Sequence, residues 1–314
     1  MAVDQARPHA RLDPALLHHF ALPLLERLGL LAQQRPRPAI GLNAPVGAGK
    51  SSLCRLLSQL APGLGLRLAV ASIDDFYLPW WARCRALAGN PFAVTRVPPG
   101  SHDPALLCCC LDDWRAGAPL RLPRFDKRLR GGEGDRCGEQ TLQADALLLE
   151  GWLIGCRPLG PALEAIDLDR VMVGAGERAL SPAEQAWLPR WDGALQSYQP
   201  AWARLDELWL LRPRCWSQPR RWRFQAEARQ RRTGAPALAP RALERLVRSS
   251  LASLPPELYI EPLQPAQPQA RTGVADPGGL AVAVAGVLDG RRRLVAGGVP
   301  GPHSSASSSS LSIG

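Results

Sequence analysis

Ala44-Pro45-Val46-Gly47-Ala48-Gly49-Lys50-Ser51 is the stretch that decides the fold. It follows the short apolar run Ala39-Ile40-Gly41-Leu42. It precedes Ser52 to Leu60, which reads as a helix stopped by Pro62-Gly63. The spacing is that of G-x-x-x-x-G-K-[ST], with Ala44 in the first glycine position. Each residue type has a physical reason to be there. Gly47 and Gly49 let the main chain fold tightly, so that successive N–H groups around Val46 and Ala48 point at phosphate oxygens. The helix behind adds its positive N-terminal end. Lys50 would reach the β- and γ-phosphates of a nucleoside triphosphate, and the Ser51 hydroxyl, with Ser52 beside it, would take a Mg²⁺ position. Ala44 through Ser52 therefore reads as an ATP-binding loop.

Working outward, strands alternate with helices. Residues 11 to 34 carry Leu16, Leu17, Phe20, Leu24, Leu25 and Leu28 at helical spacing behind Asp13-Pro14. Leu66 to Ile73, Ala146 to Leu149 and Leu205 to Leu211 read as further buried strands, and Pro104 to Ala116 as a helix with Asp103 as its cap. Arg220 to Arg232 reads as a very basic helix and Arg241 to Leu254 as an amphipathic one. Strands apolar on both faces predict a mainly parallel sheet covered on both sides, an α/β fold of three layers, α/β/α. The expected organisation is an N-terminal helical segment over 1–34, a nucleotide-binding domain over 35–263 and a low-complexity, disordered tail over 264–314. Within that tail, Leu280 to Leu288 has the apolar character of a short strand or helix.

With 314 residues, 46% hydrophobic and 21% charged, the chain can bury a sizeable core. No uninterrupted apolar run approaches the ~20 residues of a membrane span, which argues against an integral membrane protein. The net charge of +10 invites a nucleic-acid reading, but the basic residues are scattered along the chain rather than gathered. Only Lys50 and Lys127 among the 38 basic residues are lysine. Where arginine fills nearly every basic position, a surviving lysine marks a place that arginine cannot serve. Eight cysteines without C-x-x-C spacing suit neither a zinc site nor a disulfide framework. The expectation is reduced thiols in a cytoplasmic protein without a signal peptide.

Carboxylates after the strands say what the phosphate loop is for. Asp74 and Asp75 close the strand ending at Ile73, and Glu150 closes the one ending at Leu149. Ligands of open parallel sheets sit beyond the carboxyl ends of strands, so these acids belong near the γ-phosphate. There a carboxylate can accept the proton of an attacking hydroxyl or help to hold Mg²⁺. Asp74 or Asp75 could be that base. Asp74 and Glu150, with Ser51, are candidate metal ligands.

The order of the phosphate loop, Ser72-Ile73-Asp74-Asp75-Phe76-Tyr77, Asn90-Pro91, Pro99-Gly100-Ser101-His102-Asp103, Phe125-Asp126-Lys127, Gly132-Glu133-Gly134-Asp135-Arg136 and Glu150-Gly151-Trp152 resembles D-glycerate 3-kinase of the plant and cyanobacterial type. That family belongs with the P-loop kinases of uridine, pantothenate and phosphoribulose. The resemblance covers residues 35 to 262. It implies transfer of a phosphoryl group from MgATP to the 3-hydroxyl of glycerate. In an organism that fixes carbon it also implies a place in photorespiration. It casts Asp74 as base, Arg223 of the basic helix as a lid arginine closing over the phosphates, and Asp75, Tyr77, His102, Asp103, Arg124, Lys127 and Arg136 as substrate-side residues. A glycerate carboxylate suits an arginine fork or a lysine point charge, hence Arg124, Lys127 and Arg136. The partners expected are a small hydroxy acid and ATP, without membrane or nucleic acid. A kinase of another small alcohol, or a P-loop ATPase acting with nucleic acid, would share the phosphate loop.

Overall fold

The computed structural model describes residues 12–174, 178–234, 237–265 and 280–299. Strands β1 (Ala39–Asn43), β2 (Leu68–Ser72), β5 (Ala146–Gly151), β8 (Glu207–Pro213), β9 (Val282–Leu288) and β10 (Leu294–Gly297) form one sheet in the order β10-β9-β8-β1-β5-β2. All pairings are parallel except that of β10 with β9. Along β5 the side chains alternate between two buried clusters. Ala146 and Leu148 face one and Leu147 and Leu149 the other. That is why the strand reads as an unbroken apolar run.

One face is covered by α1 (Pro14–Gln34) and α2 (Lys50–Leu60). The other is covered by α4 (Pro104–Arg115), α5 (Pro182–Ala194) and the chain around them, while α3 (Trp80–Ala86) leads away from β2. Helices α6 (Gln218–Arg232) and α7 (Pro240–Ala252) follow β8. Between β2 and β5 the chain makes a two-stranded ribbon of β3 (Leu120–Asp126) and β4 (Asp135–Leu142). A second, very short ribbon joins β6 (Met172–Val173) and β7 (Arg178–Ala179) within the irregular stretch before α5.

Three expectations are corrected. By length and composition α1 is long and apolar enough to cross a membrane. Here it is a core helix, with Phe20, Leu24, Leu28 and Leu31 essentially buried against the sheet. Residues 12–34 are thus part of the same core as the nucleotide-binding domain rather than a separate segment, and residues 1–11 lie outside the described residues. Residues 280–299 are not a disordered tail. Val282 and Leu288 are buried and β9 pairs with β8 along its length. The remaining tail lies outside the described residues. The Ala/Val composition that looks like low complexity is what a strand pressed between β8 and α1 requires. A Cβ on Gly286 would lie 2.8 Å from Leu294 and 3.2 Å from Phe20.

A proline explains how α1 and the C-terminal hairpin are tied. Pro23 has no N–H to donate to the His19 carbonyl, and its ring crowds that position. The helix loosens to a π-turn over Leu17–Ala21. The freed His19 carbonyl accepts instead from Val299 N at 2.8 Å, just beyond β10.

Candidate active site

The turn after β1 has the shape its glycines predict. Gly47 and Gly49 lie at φ +78° and +99°, where a side chain is strained, and Gly49 caps α2. Lys50 Nζ curls back to the carbonyls of Ala44 at 2.9 Å and Pro45 at 3.2 Å, and lies 4.0 Å from Glu150 Oε2. Val46 through Ser52 line a cavity of about 810 Å³. Ala44 and Pro45, expected to meet phosphate, are buried beneath the loop and touch the lysine instead.

The sheet order sets the acids. Glu150 lies opposite Leu42 of β1 and Ser72 of β2, so it and the turn after β2 converge on the same end of the sheet as the phosphate loop. Glu150 and Asp74 both line the cavity. Burial pushes the Glu150 carboxyl up, against the pull of Lys50. Burial also works to raise Asp74. The Lys127 ammonium, 2.6 Å from Asp74 Oδ2, outweighs it, with smaller help from His102 and Arg96, and holds Asp74 well below the usual carboxylate range. Asp75 does not line the cavity. Ser72 caps the short turn Ile73–Phe76, and Asp75 closes the reciprocal capping box on Ser72 N. Burial and the neighbouring Asp74 charge raise its pKa to about 6.

Two further expectations for the substrate side meet at the cavity: Lys127, 56% exposed, and buried Tyr77. Four do not. His102 is buried and pairs with Tyr77 through a β-bridge. Its ring stacks on Tyr77 at 4.3 Å and its Nδ1 is 2.9 Å from Tyr198 Oη. Burial lowers its pKa to about 4, so it is neutral at pH 7. Asp103 caps α4 through Leu106 N at 3.0 Å, and its other oxygen takes Arg136 Nη2 at 2.9 Å. Arg136 also donates from Nε to the Tyr77 carbonyl at 2.7 Å. These three groups therefore brace the wall behind Tyr77. Arg124 is exposed on β3, away from the cavity.

The basic helix supplies Arg223 and Arg229 to the cavity, whereas Arg220 is drawn to Glu244 of α7 at 2.9 Å. Arg223 is paired with buried Glu227 at 3.0 Å. Three cationic cavity residues escaped the sequence reading. Arg96 lies between the Asn90-Pro91 and Pro99–Asp103 motifs, in neither of them. Arg291 and Arg292 come from the β9–β10 turn, in the stretch read as tail. Arg292 donates to the Gly47 carbonyl at 2.7 Å and to the Trp222 carbonyl at 3.0 Å, and its guanidinium lies over the Trp222 ring. It so bridges the phosphate loop and α6. Among the described residues round the cavity, seven cationic side chains (Lys50, Arg96, Lys127, Arg223, Arg229, Arg291, Arg292) face three acids (Asp13, Asp74, Glu150). That excess suits a polyanion.

Ser51, Asp74 and Glu150 offer only hard oxygen donors, which fits Mg²⁺ held partly by phosphate. Among the described residues no group of three or more His, Cys, Asp and Glu forms a cage of protein ligands alone.

No protein-family model matches the chain. In sequence it is similar to the chloroplastic D-glycerate 3-kinase of Arabidopsis thaliana, 27% identical over 243 residues, which cover 72% of this chain and 49% of that one. It thus spans about half the length of that plant relative. It is also similar to the uncharacterized kinase mug58 of Schizosaccharomyces pombe, 26% identical over 220 residues, 65% of this chain and 76% of the other. In structure it is similar to D-glycerate 3-kinase from Cryptococcus neoformans, with a TM-score of 0.69, 24% identity, and coverage of 88% of this chain and 96% of that one. The resemblance carried by the motifs thus holds over most of the chain, and the fold is the three-layer α/β/α fold of the P-loop kinases.

Proposed function

We propose that this protein is an ATP-dependent kinase that phosphorylates the 3-hydroxyl of D-glycerate, giving 3-phosphoglycerate and ADP. The observation that carries the reading is the meeting of Lys50, Asp74 and Lys127 in one strongly cationic cavity at the carboxyl ends of β1, β2 and β5. Similarity to a plant D-glycerate 3-kinase supports the choice of acceptor.

The chain's own groups divide the work. Main-chain N–H groups from Val46 to Ser52 cradle the phosphates, and Lys50 turns from the Ala44 and Pro45 carbonyls toward the β- and γ-oxygens. Asp74 accepts the proton of the acceptor hydroxyl as its oxygen bonds to the γ-phosphorus and the bond from that phosphorus to the ADP oxygen breaks. Its low pKa suits a proton that leaves late in a loose transition state. Lys127 keeps Asp74 ionised and oriented. Ser51, Asp74 and Glu150 would hold Mg²⁺, and the ion would supply charge neutralisation for the phosphates. Arg223 and Arg229 of α6 bring positive charge over the transferring group, and the helix shields it from water.

The test is ADP release by purified protein with MgATP and a panel of D-glycerate, other hydroxy acids, uridine and pantothenate. Strong release with D-glycerate alone is expected, lost in Lys50→Ala and Asp74→Asn. Release that depends on a nucleoside, or on no alcohol at all, refutes the reading.

A further inference from the structure

A guanidinium that makes no salt bridge, among the described residues, lies in the cavity wall near Asp74. Arg96 is 7% exposed and lines the cavity with Asp74 and Tyr77. Among the described residues its one hydrogen bond is from Nη2 to the Gly132 carbonyl, at 3.2 Å, and it forms no ion pair. Asp74, whose charge Arg96 feels, is already held by Lys127; a buried cation with no carboxylate in contact is costly, and an arriving anion relieves that cost.

The loop that presents it is built rather than loose. The Asn90 amide donates to the carbonyls of Leu87 at 2.6 Å and Val94 at 2.7 Å, and its Oδ1 accepts from Phe92 N and Val94 N. Fully buried Arg83 holds the Thr95 carbonyl at 2.9 Å, and Phe92 stacks on Trp191. The same loop contains two residues other than glycine at positive φ, Ala93 at 50° and Val97 at 91°. A β-branched residue there is a true outlier. Such strain persists only where the surroundings enforce it, and it gathers at ligand sites.

The other cations on the acceptor side are committed. Lys127 is paired with Asp74, Arg136 with Asp103, and Arg124 faces away. We propose that Arg96 binds the carboxylate of the acceptor, so that the site selects anionic alcohols over neutral ones. This rests on the kinase reading above and deepens it. A hydroxy acid would lie with its carboxylate on the Arg96 fork and its hydroxyl at Asp74.

The experiment compares kcat/KM for D-glycerate and for glycerol, its neutral counterpart, at saturating MgATP, in the wild type, Arg96→Lys and Arg96→Met. Loss of a two-pronged charged contact should cost glycerate about 100-fold in Arg96→Met. Glycerol should change less than about 3-fold, and Arg96→Lys should fall between. Unchanged glycerate kinetics, or equal losses for both acceptors, overturn the assignment. A second measurement needs no variant: lactate, which keeps the carboxylate but lacks the 3-hydroxyl, should compete with D-glycerate in the wild type, and propane-1,2-diol should not. Failure of lactate to compete overturns the assignment even if the variants do not fold. Activity with a different hydroxy acid, sensitive to Arg96, would refute the glycerate reading and leave Arg96 standing; wild-type activity confined to neutral alcohols would refute both.

Discussion

Gly47→Ala should do more damage than its place in a surface turn suggests, and the structure says how much. The residue sits at φ +78°, where alanine pays roughly 1–2 kcal/mol for the left-handed backbone. Its new Cβ would also lie 2.7 Å from Arg223 N, 2.8 Å from Trp222 Cβ and 2.9 Å from Trp222 C. Those atoms belong to the backbone of α6 and to the root of a completely buried tryptophan, so no rotamer change relieves the contact. Ordinary contact begins near 3.4 Å, so loop and helix must part by ~0.7 Å. Overpacking of this kind costs about 1–3 kcal/mol. The sum is roughly 2–5 kcal/mol, or about 4–20 °C in Tm for a domain of this size. Gly49→Ala is the control. It bears the same kind of strain at φ +99°, but its Cβ would meet nothing nearer than Arg292 Cδ at 3.9 Å. Its cost should stay near the strain alone, about 1–2 kcal/mol. Calorimetry on the two variants without nucleotide measures the difference. Equal melting temperatures would show that α6 does not rest on the phosphate loop as described, and the account of Arg292 as a bridge between them would fall too.

Two other perturbations probe the electrostatics. Lys127→Met removes the charge that holds Asp74 low, leaving burial to raise it. The acid limb of the kcat/KM profile for glycerate should therefore move to higher pH, with ATP KM nearly unchanged; a limb that stays put contradicts Asp74 as the base. His102 has a folded pKa of about 4 against about 6.5 unfolded. The unfolded chain binds the extra proton, so His102 costs no stability at pH 7 and costs progressively more from about pH 6.5 down to about pH 4. Asp75, whose pKa is raised to about 6, opposes that slope: it favours the fold below about pH 4 and loses that contribution as pH rises through 6. Comparison with His102→Asn isolates the histidine. Urea unfolding should show the stability difference between wild type and variant changing by about 3 kcal/mol between pH 7 and pH 4, and a constant difference would refute a buried neutral His102.

The phosphate loop and the strand-end acids could be read from sequence because their geometry is local. Two glycines, a lysine and a following helix fix Val46 to Ser52 within a few residues, and an acid ending a buried strand must emerge at the strand's carboxyl edge. The substrate wall was not local. His102, Asp103 and Arg136 stand in the right segments but point behind Tyr77. The β-bridge between Tyr77 and His102 and the cap on α4 decide which side of each segment faces the cavity, and neither is visible in residue order. The C-terminal hairpin was legible only in part. Leu280 to Leu288 stood out as a possible strand or helix within 264–314, but nothing in residue order showed that it joins the sheet beside β8, where Gly286 packs against Leu211 and Phe20.

The lysine count proves more informative than the net charge. Many arginines are consumed by nearby acids, as in the pairs Arg204–Asp112, Arg128–Asp126 and Arg220–Glu244, which are exposed and contribute little to stability. The two lysines both line the same cavity and both make contacts that suit a compact ammonium. Lys50 Nζ fits between two carbonyls within its own loop, and Lys127 Nζ sits end-on against a single carboxylate oxygen. A guanidinium in the first place would not fit under the loop, and in the second its fork would cover both oxygens of Asp74 and leave none to take a proton. Arg96 shows the converse requirement. A fixed, two-pronged anion site calls for a planar fork, and there the chain keeps arginine. The choice between the two cations thus follows the chemistry of each position: a movable point charge where protons and phosphates shift, and a rigid fork where a ligand must be held still.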